Sequence, residues 1–276
     1  MKKYYLFIAL AMVAAMSVSC KNNKKTENNE ATEKVVEAAK TILADDVLAK
    51  IDEIAKSYIE SIEEISFSNI ISSLLTAEEK LIKPDYLLDP AVANTLVTKT
   101  QKVNALAILL EENEIRRAYE MPVEEANEAI ARLTAEVGNS LSVDNPDKKT
   151  TSERVSERYN NCKENGELAL FWQFQFAVQC ELRYLISQNP DMFFRNISEE
   201  QFQAFGEQFL TCRDVVETLA EYDPEVKLAW DTYSKFRDSY PDESARHEAY
   251  KTAEVAKKTY ASKKEAFAAR RAEMLK

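Results

Sequence analysis

LALFWQFQFAVQCELRYLI, residues 168–186, is the stretch that decides the architecture. On a 3.6-residue period, Phe171, Trp172, Phe174, Phe176, Val178, Cys180, Leu182, Leu185 and Ile186 fall on nearly every side. A surface helix keeps its apolar residues in one stripe, whereas a helix apolar most of the way round must be enclosed by others. The pattern therefore predicts a central helix over 168–186, packed by helices over 91–119, 122–141 and 198–221. The rest of the chain agrees with that class. Gly138, Gly166 and Gly206 are the only glycines, too few for the tight turns of a strand-rich fold. The expected fold is all-α, a multi-helix bundle of long amphipathic helices around the hydrophobic one.

Upstream, Val36, Leu43, Val47, Ile51, Ile54, Tyr58, Ile62 and Ile65 step by three, four or seven, which marks one stripe of a long first helix. All seven prolines sit at breaks in apolar periodicity, and all but Pro90 have Asp or Glu within the next two residues. Proline suits a first helical turn, where its missing N–H is not needed, and an acid there meets the positive helix end. Reading each as a helix start predicts helices over 31–66, 68–75, 91–119, 122–141, 151–188, 198–221, 224–239 and 242–274. Ser198 and Gln201 resemble a capping box at the head of the sixth. In the last, Ala253, Tyr260, Phe267 and Met274 form one thin heptad seam, with Lys257, Lys264 and Arg271 in the companion position. Residues 242–276 carry nine basic and six acidic side chains on a chain of net charge −11. This basic arm is expected to dock on the 34–241 bundle by its aromatic stripe. Alternatively it meets an acidic protein partner, a second copy of the chain or anionic lipid heads.

The N-terminus reads differently. Lys2 and Lys3 precede an apolar run of about 15 residues, shorter than the roughly 20 needed to span a bilayer. Ser17-Val18-Ser19-Cys20 follows, and then Lys21-Asn22-Asn23-Lys24-Lys25. The arrangement resembles the lipobox signal of bacterial lipoproteins. That resemblance implies a signal peptide over 1–19 and a mature chain that begins at Cys20, the residue acylated with chains such as palmitate. Residues 20–33 would then be a lipidated cysteine and polar tether, setting the body off the membrane. Loss of 1–19 leaves 257 of the 276 residues, and loss of Lys2 and Lys3 takes the net charge from −11 to −13. Serine just before the cysteine is most similar to lipoproteins of the Bacteroidota. In these, surface display goes with acids soon after the cysteine. The first acid here is Glu27, which favours the periplasmic face of the outer membrane over the cell surface.

Composition excludes several functions. So acidic a chain lacks the clustered Lys and Arg that hold nucleic acid. His247, near a helix start among polar residues, is the only histidine, so no His-pair metal site exists within one copy. Cys162, Cys180 and Cys212 lack zinc-site spacing. If the helices carrying Cys180 and Cys212 pair as a hairpin, the two are offset by about 9 Å, beyond disulfide reach. All three thiols are expected to be free and buried. There is no nucleophile elbow and no phosphate-cradling loop, so no cofactor or metal is expected.

Carboxylates are the remaining chemistry. Glu114 shares a stripe with Leu96, Val103, Ala107, Leu110 and Ala118, and Glu181 interrupts the central helix with Arg183 two residues on. Arg116 and Arg117 lie nearby in sequence. Buried carboxylates need charged partners, so Glu114, Glu181, Arg183 and Arg117 form a candidate buried ion-pair or polar-ligand site. Trp172 and its Phe neighbours read as core, while Trp230 and Tyr233 lie on a short helix expected to face the surface. The expected function is a lipid-anchored envelope protein with a binding or assembly role rather than catalysis. The alternative is a carbohydrate-binding or glycan-processing lipoprotein using paired carboxylates.

Overall fold

Eighteen consecutive side chains, Leu170 to Ser187, are buried in the helix that the sequence places at the centre. The computed structural model describes residues 47–62, 75–146, 149–195, 197–237 and 242–276. The expected signal peptide, Cys20, the expected tether, the part of the expected first helix before residue 47 and nearly all of the helix expected over 68–75 lie outside the described residues. Among the described residues the secondary structure is helical, with no strand and no helix long and apolar enough to cross a membrane.

The α-helices, in order, are α1 (47–62), α2 (Lys99–Ala118), α3 (Glu124–Val137), α4 (Thr151–Glu164), α5 (Leu168–Gln188), α6 (Pro190–Phe194), α7 (Glu199–Leu219), α8 (Pro224–Arg237), α9 (Glu243–Ala249), α10 (Ala253–Ser262) and α11 (Lys264–Met274). Asp46–Lys276 folds as one unit around α5. Helices α2, α7 and α11 make its principal walls, with α4 and α10 beside them. The 122–141 segment, expected on the central helix, rides mainly on α2 instead. The stripe of α1 is borne out at Ile51, Tyr58 and Ile62, all buried, and the Tyr58 ring packs 5.3 Å from that of Trp172.

Local chemistry explains where the helices begin and end, including four departures from expectation. Helix α2 starts at Lys99 rather than 91, because Thr98 and Gln101 form a reciprocal capping box. Pro90 opens only a short 3₁₀ turn, Pro90–Asn94, and Pro84 and Pro122 lie outside helices. The single helix expected over 151–188 is two. Gly166, at φ +70°, closes α4, with the Glu167 N–H donating to the Cys162 carbonyl at 2.7 Å and the Gly166 N–H to Lys163 at 3.1 Å. That is a Schellman ending, and its left-handed residue favours glycine. The C-terminal arm is three helices, since Thr252 ends one segment and caps the next through the Val255 N–H. Its seam still works. Tyr260 stacks on Phe267 at 5.3 Å, and Tyr260 also meets Phe194 of α6 at 6.0 Å. Finally, Trp230 and Tyr233 are buried against Phe176, not surface-facing.

Cys162, Cys180 and Cys212 are buried and unpaired. Burial pushes the Cys162 and Cys212 thiols up to about 12, which leaves little thiolate to react.

Candidate functional site

An ion network does form inside the bundle, but mostly from residues other than those expected. Glu181 on α5 and Glu112 on α2 are fully buried, and Arg271 of α11 bridges them. Arg271 Nε donates to Glu181 Oε2 at 3.0 Å, and its Nη2 donates to Glu112 Oε1. The Leu88 N–H donates to both Glu112 oxygens, at 2.9 and 2.8 Å. Arg116 reaches Glu112 at 3.4 Å, and the Arg271 guanidinium lies 4.4 Å from the Tyr184 ring centroid. Burial raises the Glu181 carboxyl above its ordinary range; Arg271 opposes that shift, and nearby Glu112 adds to it. Glu181 Oε1 is sealed without a hydrogen-bond partner. With every other group committed, this network clamps α11 to α2 and α5.

Glu114 is elsewhere. It is part-exposed and pairs with Arg117 at 3.0 Å and Arg154 at 3.7 Å. It lines a narrow cleft of about 140 Å³ that also contains Glu111, Tyr58, Gln175 and Arg158, but not Glu181. The two glutamates singled out by sequence therefore share no cavity, and the acid–base pairing of a glycosidase is not assembled. Arg183, the expected partner of Glu181, turns away. Its Nη1 donates at 3.1 Å to both the carbonyl and the side-chain Oε1 of Gln179, and its guanidinium lies 3.7 Å from the Phe209 ring centroid.

Arg183 instead faces a cavity with aromatic walls. This cleft, of about 360 Å³, lies between α7, α8 and the C-terminal helices. Phe202, Phe205 and Phe209 of α7, Tyr233 of α8, and Tyr260 and Phe267 from the C-terminal arm give it aromatic walls. Seven lysines and arginines line it against two glutamates, an inversion of the charge of the whole chain. Its volume falls within the roughly 300–1,000 Å³ typical of small-molecule sites.

Comparison with protein-family models, curated proteins and solved structures finds no match for this chain.

The cleft is therefore judged by its own chemistry. Besides Arg183, Arg270 of α11 lines it, buried like Arg183 and donating through Nη2 to the Cys180 carbonyl at 2.9 Å. Exposed His247 also lines it, with no hydrogen-bonded carboxylate among the described residues to make it a base. A second hollow, at Asn139, Ser142, Asn161 and Glu167, has polar walls and a wide mouth. Among the described residues no cluster of His, Cys, Asp and Glu is arranged to hold a metal ion. Sequence reasoning missed the cleft because its walls come from six separate segments. The one available signal was the excess of phenylalanine at Phe202, Phe205 and Phe209, spaced three and four apart on a helix whose other face is polar.

Proposed function

We propose that the chain is a lipid-anchored cell-envelope protein, held at the periplasmic face of the outer membrane, whose helical body binds a small ligand in the aromatic cleft. The observation that carries the binding role is that cleft: a small-molecule-sized cavity with aromatic walls and a cationic lining. The anchor rests on the sequence around Cys20. Tyr260 and Phe267 of the C-terminal arm are buried and stacked within the fold, so these aromatics are not held out toward a partner or a second copy. That favours ligand binding over assembly.

Gly206 supplies a direct test. It lines the cleft from within α7, and a β-carbon built on it meets no atom within 4 Å. Gly206→Leu should fill the cavity while raising stability by about 0.5–1 kcal/mol, because glycine is a poor residue in a helix interior. The neutral fluorophore Nile red is expected to bind the wild type with one-to-one stoichiometry and to bind the variant at least tenfold more weakly. Equal binding by both proteins rules out the cleft as the ligand site. For the anchor, metabolic labelling with a palmitate analogue should mark the wild type and fail to mark Cys20→Ser; equal labelling removes lipidation at that residue.

A further inference from the structure

We propose that the ligand of this cleft is an amphipathic carboxylate, with its head held by Arg183 and Arg270 and its apolar body against the aromatic walls. This rests on the reading of the cleft as a ligand site and adds the chemical class of the occupant.

Arg183 and Arg270 are 8% and 6% exposed, yet neither has a carboxylate within ion-pair distance among the described residues. Arg183 leans on Gln179 and the Phe209 ring; Arg270 has the Cys180 carbonyl and the Phe267 ring, 5.1 Å from its guanidinium carbon. Burying an uncompensated charge is costly, and carbonyls and ring faces repay only part of it. The remaining N–H groups, Nε and Nη2 of Arg183 and Nε and Nη1 of Arg270, donate to nothing described.

The contrast with neighbouring arginines shows that acids are not in short supply. Arg271, the next residue along, is neutralised by both Glu112 and Glu181. At the rim of the same cleft, Arg213 has Asp214 at 2.6 Å and Arg246 has Glu243 at 4.0 Å. Among the arginines that line this cleft, Arg183 and Arg270 are the two with no acid within ion-pair distance among the described residues, and they hang from consecutive carbonyls of α5, Gln179 and Cys180. Two guanidiniums held on adjacent carbonyls of one helix, both lining one aromatic-walled cleft, can share a single anion. Guanidinium forks match a carboxylate in geometry as well as charge. The walls, made by Phe202, Phe205 and Tyr233 among others, demand that the rest of the ligand be apolar. The volume of the cleft, in the range of small-molecule sites, favours a free small molecule over a lipid still seated in a bilayer.

The test is calorimetric titration of the mature-length chain with decanoate below its micellar concentration, with decanamide, and with phosphatidylglycerol vesicles. Decanoate should bind one-to-one and at least tenfold more tightly than decanamide. Arg183→Met and Arg270→Met should each weaken decanoate about 10- to 100-fold, the scale of a lost charged hydrogen bond. Both variants should unfold at the same or higher denaturant concentration than the wild type without ligand, because each removes a buried charge. A merely structural arginine would lower it. Equal affinity of the wild type for decanoate and decanamide overturns the proposal without recourse to any variant, as does decanoate binding that survives both substitutions. Binding to the vesicles alone also overturns it, assigning the arginines to a lipid headgroup. Nile red binding that depends on Gly206, without a preference for decanoate, sinks the anionic ligand and leaves the cleft standing. Failure of Nile red removes the cleft reading itself.

Discussion

Arg271→Met is expected to cost about 3–5 kcal/mol of folding stability, because it leaves two carboxylates buried without the cation that joins them. Glu112 and Glu181 are each fully buried, and both take their principal ion pair from this one guanidinium. Arg116, 3.4 Å from Glu112, can serve only one of them. The deficit should depend on pH with a definite sign. Burial already raises both carboxyls, and the variant lacks the cation that opposes that shift, so they take up protons as pH falls and the penalty shrinks; it grows as pH rises. Adding Glu181→Gln to the variant should recover part of the loss by removing one of the stranded charges. Denaturant unfolding at pH 5, 7 and 9 measures all of this. A variant within 1 kcal/mol of wild type at pH 9 would mean the network does not hold α11 in place.

Glu111→Gln should act in the opposite direction. The Glu111 carboxyl is pushed up to about 7, first by burial and then by Glu114, while Arg154 and Arg158 pull it down. The unfolded chain releases this proton near 4.5, its ordinary value. Between 4.5 and 7 the native state therefore holds more protons than the unfolded state, so stability falls as pH rises through that window and levels off above it. The loss is about 2 kcal/mol, less than the full linkage because the side chain keeps part of its hydration. Glu111→Gln should match the wild type near pH 4.5 and exceed it by about that amount at pH 8. The difference between the two proteins isolates this group from Glu181, whose raised carboxyl acts in the same direction. It also isolates it from Glu79, which Arg195 holds down to about 2 and whose contribution is lost only below pH 4.5. A difference that does not vary between pH 4.5 and 8 would show that Glu111 titrates normally.

The sequence by itself determined what depends on near neighbours along the chain. The all-round apolar pattern of 168–186 meant enclosure, and α5 is enclosed; the Ser198–Gln201 capping box starts α7. Even the missed break at Asn165-Gly166 was written locally, since an Asn-Gly pair is a helix-ending signal. Only the tertiary structure decided which charges meet. Arg271 joins Glu181 across 90 residues and Glu112 across 159, while Arg270, its neighbour in sequence, faces the aromatic cleft with no acid within ion-pair distance among the described residues. One step along a helix turns a side chain by about 100°, so the fate of each arginine follows from how α11 is rotated against α5. That rotation is set by packing among helices distant in sequence, and no local pattern encodes it.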